Sequence, residues 1–150
     1  MKKLILALLV GLSLTISFNS LGQTAEEMEV INTIQSFFDA MAEKDTATLS
    51  SLMHPKGVYF VTQEGKSARV NTHEAYVKNF PMGKEYDFKE EMWDPKVLIH
   101  GDMAVLWAPY NFYLNGKFEH CGIDNFSLIK ENGKWVIATT VFSISKKPCK

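Results

Sequence analysis

The side chains best placed to do chemistry are Asp124 and His120, four positions apart in the alternating run from Phe118 to Phe126. A carboxylate on an otherwise apolar strand face is costly unless it is partnered or functional, and burial raises its pKa toward the range of a general base. Such a base would abstract a proton beside a carbonyl while His120 or Tyr113 steadied the enolate. Four strand residues span about 13 Å, so the two groups share a face without touching and do not form a dyad. They read instead as two ends of one pocket. His120 and Asn111 stand at one end and Asp124 at the other, with Gly122 and Pro109 as a low floor and Trp107 or Tyr113 as a flat wall. Phe118 and Thr139 complete that face. The plainer reading is a binding cup in which Asp124 pairs with Thr139, Asn111 or a backbone amide and no reaction occurs.

Other chemistries find little support. His54, His73, His100 and His120 are scattered without the close spacing of metal ligands, so no metal is expected. There is no glycine-rich phosphate loop, no Gly-x-Ser-x-Gly elbow and no His-Glu-x-x-His, and no cofactor is implied. The 150 residues carry 16 basic and 17 acidic side chains, a formal charge of -1, and Arg69 is the only arginine. Nucleic acid is therefore disfavoured as a partner. The composition, 46% hydrophobic and 22% charged, is that of one ordinary globular domain.

The elements that must position these residues fall into two sets. Val30, Ile31, Ile34, Phe37, Phe38 and Met41 recur at helical spacing between Glu26 and Lys44, and Asp45 looks like the cap of a second, short helix. A strand over 58–62 and a third helix over 72–79 follow. From Tyr86 the period becomes two, giving strands over 86–99, 102–114, 117–130 and 134–145, an antiparallel meander. Gly101-Asp102, Asn115-Gly116 and Asn132-Gly133 are hairpin turns. Two-residue loops place Trp107 opposite Asp124, Asn111 opposite His120, and Asp124 opposite Val141, although a bulge at Pro109 would shift the first register. On that register Val105, Trp107, Asn111 and Tyr113 face inward, and Leu106, Ala108, Tyr110 and Phe112 face outward with Cys121 and Ile123. That outer face is too apolar for water and predicts a homodimer through it.

Lys2 and Lys3 precede an apolar run over 4–16 and a small-residue site ending at Gly22, the pattern of a secretory leader over 1–22. The run is too short to span a bilayer. The expected product is a periplasmic or secreted domain over 23–150 with no membrane anchor. Export makes a Cys121–Cys149 disulfide admissible, provided the tail doubles back; the alternative is two free thiols.

Three runs carry a family likeness: Trp107-Ala108-Pro109-Tyr110, His120 to Phe126, and Asn132-Gly133-Lys134-Trp135-Val136-Ile137. With the opening helical hairpin and the strand ending near Thr62, they resemble the nuclear transport factor 2-like superfamily, especially secreted bacterial members labelled lumazine-binding. The resemblance covers most of residues 24–150. It implies an α+β cone, a curved sheet wrapped around a long helix, with a pocket at the open end. The same superfamily hosts ketosteroid isomerases, polyketide cyclases, dehydratases and plain association domains, so fold leaves function open. The adopted expectation is an exported cup for a small aromatic or polycyclic ligand. The alternatives are a cofactor-free isomerase, cyclase or dehydratase using Asp124, and an association domain without ligand.

Overall fold

A computed structural model describes residues 23–147 and Cys149; the leader expected over 1–22 lies outside them. Helix α1 (Ala25–Glu43) starts at a capping box, in which the Thr24 hydroxyl accepts from the Glu27 amide and the Glu27 carboxylate accepts from the Thr24 amide. Lys44 ends it in the left-handed conformation. Its apolar stripe, Val30, Ile34, Phe37, Phe38 and Met41, is buried. Asp45 caps α2 (Thr46–Leu52), accepting from the amides of Ala47 and Thr48.

The chain then enters β1 (Met53–Gln63), turns back through β2 (Arg69–Thr72) and forms α3 (His73–Lys78), capped by Thr72. The rest is strand: β3 (Phe88–Met92), β4 (Lys96–His100), β5 (Met103–Leu114), β6 (Lys117–Glu131) and β7 (Lys134–Ile144). The sheet runs β2-β1-β7-β6-β5-β3, with β4 also on β5. Among the described residues three helices thus pack on one curved, mixed sheet, the α+β cone of the expectation. β5, β6 and β7 form the antiparallel meander, while β1 joins β7 in parallel and β2 was not foreseen. The expected strand over 86–99 breaks at Trp93-Asp94-Pro95. Asp94 has a positive φ of 47°, so β3 and β4 pair with opposite halves of β5. Asn115-Gly116 and Asn132-Gly133 have φ positive at both residues, the tight hairpin geometry their side chains predict.

Two bulges decide which residues face the helices. Leu114 pairs with Lys117 and Tyr113 with Phe118, as a two-residue loop requires, but the next pair is Phe112 with His120, leaving Glu119 as the extra residue. The slip continues along the ladder, so Ala108 lies opposite Asp124 and Trp107 opposite Asn125. Between β6 and β7 the register slips again, with Ala138 the extra residue, and Asp124 meets Phe142. One-residue shifts exchange faces. Ala104, Leu106, Ala108 and Tyr110 are therefore buried against the helices, whereas Trp107 is 49% exposed on the other face. The outward placement of Leu106, Ala108, Tyr110 and Phe112 is corrected accordingly.

Beyond β7 the ladder continues to Ser145 before the chain turns back. Ser145 exchanges both backbone hydrogen bonds with Cys121, and Cys121 is joined to Cys149 by a disulfide with a Cα–Cα distance of 6.0 Å. Cys121 has no exposed surface.

Candidate functional site

The inner face of the sheet is solid at one end and hollow at the other. Around Asp124 the helices stand off, leaving a recess of about 200 Å³. α1 contributes Phe37 and Met41 and α3 contributes Tyr76. Opposite them stand Tyr110 and Phe112 from β5, His120, Asp124 and Phe126 from β6, and Thr140 and Phe142 from β7. Glu90 enters from β3. The strand alternates, with Lys89 and Glu91 outward as a 2.6 Å ion pair and Phe88, Glu90 and Met92 inward.

Asp124 is 2% exposed, and its Oδ2 has no hydrogen-bond partner among the described residues. Glu90 couples to it. Burial pushes the Asp124 carboxyl up to about 7, with the hydrogen bond from Glu90 acting in the opposite direction. Burial, then the Asp124 charge, then that shared hydrogen bond push Glu90 well above the usual carboxylate range. Burial disfavours two charges side by side, so the pair holds a proton more tightly than free carboxyls do, with one carboxyl donating to the other.

Tyrosines surround the pair. Tyr110 donates to the Ser143 carbonyl at 2.9 Å, and Tyr76 donates to the Met41 sulfur at 2.8 Å. Burial, reinforced by the nearby carboxyls, raises both phenols, so they stay protonated. His120 stacks on Phe112 at 4.9 Å and meets Tyr110 edge-on at 5.6 Å. Its Nδ1 is taken by the Glu119 carboxylate, which also holds Lys146, and burial lowers its pKa. His120 is therefore neutral at pH 7.

Of the residues expected at the site, Asp124 and His120 line one cavity. Trp107, Asn111, Tyr113 and Thr139 do not, because the two bulges turn them to the opposite sheet face. Phe118 is also misplaced. It lies on the turn side of the Glu119 bulge, pairs with Tyr113, and is 41% exposed. Gly122 is no ligand floor either: a Cβ there would lie 1.9 Å from the Ser143 carbonyl oxygen, so glycine admits the backbone that Tyr110 bonds. Sequence reasoning missed Glu90, taking the charged run from Lys84 to Glu91 as a solvated strand side. The signal was present in Phe88-x-Glu90-x-Met92, where two apolar neighbours at spacing two share the Glu90 face.

A second recess of about 290 Å³ adjoins the first. Met41, Tyr59, Tyr76 and Phe112 border both, and the outer recess continues past Asn71, Asn79 and Phe80. Tyr59 packs edge-on against Tyr76 at 5.3 Å, so aromatic side chains separate an inner chamber from an outer one. Among the described residues no three His, Cys, Asp or Glu side chains converge as metal ligands would. No helix among them is long and apolar enough to cross a membrane.

The sequence model of a family described as "Putative lumazine-binding" matches residues 25–143. No curated protein matches the sequence. Several solved structures share the fold. A Xanthomonas campestris protein titled a "Putative calcium/calmodulin dependent protein kinase II association domain" is 25% identical, with a TM-score of 0.66 over 83% of this chain and 91% of its own. A Salmonella enterica nuclear transport factor 2-like superfamily protein is 18% identical, with a TM-score of 0.65 over 80% and 91%. A Streptomyces avermitilis protein titled a "putative dehydratase" from the same fold family is 18% identical, with a TM-score of 0.64 over 79% and 94%.

Proposed function

The chain belongs to the family described as putative lumazine-binding and has the cone-shaped nuclear transport factor 2-like fold; from that premise and the cavity we propose that it binds a small molecule of one or two rings. The observation that carries this reading is the unpartnered Oδ2 of buried Asp124 on the wall of an aromatic recess. A buried acceptor without a donor costs roughly 1–3 kcal/mol, which a ligand N–H or O–H would recover. The 200 Å³ volume exceeds the ~150 Å³ cavity that takes benzene and falls below the roughly 300 Å³ where drug-sized pockets begin. That favours one or two rings over a polycyclic ligand. Native mass spectrometry of protein purified from its own host tests the reading. Retained ligand in the wild type, weakened in Asp124→Asn, is the expected result; an empty cavity in both forms would argue for an association domain.

A second reading, proton transfer, draws on the shared proton of the carboxyl pair. Asp124 would act as general base and Glu90 as a neutral acid beside it, with His120 a wall of the cavity. The dehydratase title of the Streptomyces relative lies in the same direction. Carbonyl-region infrared difference spectra across pH, compared with Asp124→Asn, would decide whether Asp124 titrates near neutrality.

Export to the periplasm or medium is supported by the leader pattern and by the Cys121–Cys149 disulfide. Homodimerisation remains part of the proposal, but through a different outer face: Phe60, Val141 and Trp107 in one cross-strand row, with Val105 and Leu98 beside it. Light scattering of the mature chain tests it, and a strict monomer at micromolar concentration would remove it.

A further inference from the structure

We propose that the ligand is a small organic cation, an ammonium or a protonated nitrogen heterocycle, held between the Glu90–Asp124 pair and the aromatic walls. The proposal rests on the small-ligand reading above and adds the sign of the ligand's charge.

Charge balance comes first. Among the described residues two carboxyls line the recess, and neither lysine nor arginine does. The nearby cations are engaged elsewhere: Lys89 with Glu91, and Lys146 with Glu119. An anionic ligand would therefore meet like charge with nothing to neutralise it. A purely apolar ligand would leave Asp124 Oδ2 as orphaned as before. A cation satisfies that oxygen and supplies the counter-charge the cavity lacks.

The walls favour the same sign. Phe37, Tyr59, Tyr76, Phe112 and Phe142 surround the carboxyls, and aromatic faces carry negative potential that attracts ammonium groups. Carboxylate and ring faces thus act on one charge from several sides, in a space that accommodates one or two rings.

A consequence separates this proposal from simple apolar binding. A cation beside the pair favours the ionised carboxyls, so its entry expels a proton to solvent. The other titratable groups facing the pair are Tyr59, Tyr76 and Tyr110 from three different elements, and His120 on β6 with Glu119 and Lys146 behind it. Tyr76 and Tyr110 are held protonated and His120 is already neutral. That leaves the carboxyls as the proton source.

Calorimetric titration of the wild-type domain at pH 7 with benzylammonium, and with benzyl alcohol as a neutral probe of similar size, tests the proposal. Each titration is run in two buffers of different ionisation enthalpy. Benzylammonium should bind about tenfold tighter or more, with an enthalpy that differs between buffers as proton release requires. The Glu90→Gln/Asp124→Asn double variant removes buried charge while keeping shape, and should lose both the preference and the buffer dependence. Equal or tighter binding of the alcohol would overturn the charge assignment and leave the small-ligand reading standing. A preference that survives in the double variant, or a buffer-independent enthalpy, would overturn the role of the pair. Failure of both probes at millimolar concentration would overturn the small-ligand reading as well.

Discussion

The inner face of the sheet is built from the same strands along its whole length, yet its two ends differ in kind. At the closed end Ala104, Leu106, Leu128 and Ile137 belong to one core cluster with Val30 and Ile34 of α1, and all six are buried. At the open end the same strands present Tyr110, Phe112, Asp124, Thr140 and Phe142 around empty space. Polar groups concentrate where packing stops. The difference teaches that stability and recognition are separated along one strand pair, so a substitution can strike either alone.

The sharpest break of that comparison is a truncation at the closed end. Leu128→Ala removes a fully buried side chain from the core cluster. It should cost about 3–5 kcal/mol in a urea melt. Ligand affinity of the remaining folded protein should hold. If affinity fell as steeply as stability, the two ends would form a single mechanical unit and the separation would be wrong.

The next effect belongs to the open end and has the opposite chemistry. Asp124 has its pKa raised from 3.8 to about 7 in the folded chain. The native state therefore binds more protons than the unfolded state across that window, and stability falls as pH rises from about 4 to 7. At 1.36 kcal/mol per unit the fall is on the order of 3–4 kcal/mol, with raised Glu90 acting in the same direction. Urea melts across this range measure it. Asp124→Asn should flatten the slope and be more stable than the wild type at pH 7, whereas a slope that persists would assign it to another group.

Why was the closed end readable from sequence and the open end less so? Helical spacing, capping residues and the Asn-Gly turns act locally, so α1, α2, β5, β6 and β7 follow from short stretches. A strand's two faces, by contrast, depend on counting register from a turn, and one extra residue inverts the answer. Glu119 and Ala138 are such residues, and nothing in their type marks them as bulged. Trp107 and Thr139 were lost to that parity, while Asp124 and His120 kept their face because both lie on β6 between the two slips. Glu90 was legible in its neighbours but hidden by the charges around it. The Tyr76 wall comes from a separate helix, and no strand pattern could place it.

Cys149→Ser tests what holds the open end together. The disulfide joins residues 28 apart in sequence and anchors the returning tail over Cys121, between His120 and Gly122. Its loss should cost about 2 kcal/mol, at the lower end of the usual range because the Ser145 pairing remains. Hydrogen exchange should quicken at 120–124 and stay slow at 104–106 and 128. Uniform acceleration would mean that the tail stabilises the whole sheet and not its open end alone.

The smallest effect should come from Trp107, the largest side chain that unbroken two-residue-loop registers turn toward the pocket. It lies half-exposed on the far face, paired with Asn125 on one side and Lys96 on the other. Trp107→Ala should therefore leave ligand affinity unchanged and cost less than about 1 kcal/mol in the monomer, as surface substitutions do. Its neighbour along the strand, Ala108, is buried on the inner face opposite Asp124, and enlarging it should act in reverse: Ala108→Leu overpacks the core beside Asp124 and should weaken binding by displacing that wall. Titrating both variants with one ligand reads the strand's parity directly. If Trp107→Ala weakened binding and Ala108→Leu did not, the Glu119 bulge would be misplaced, and the division between a recognising face and an outer face would reverse along β5.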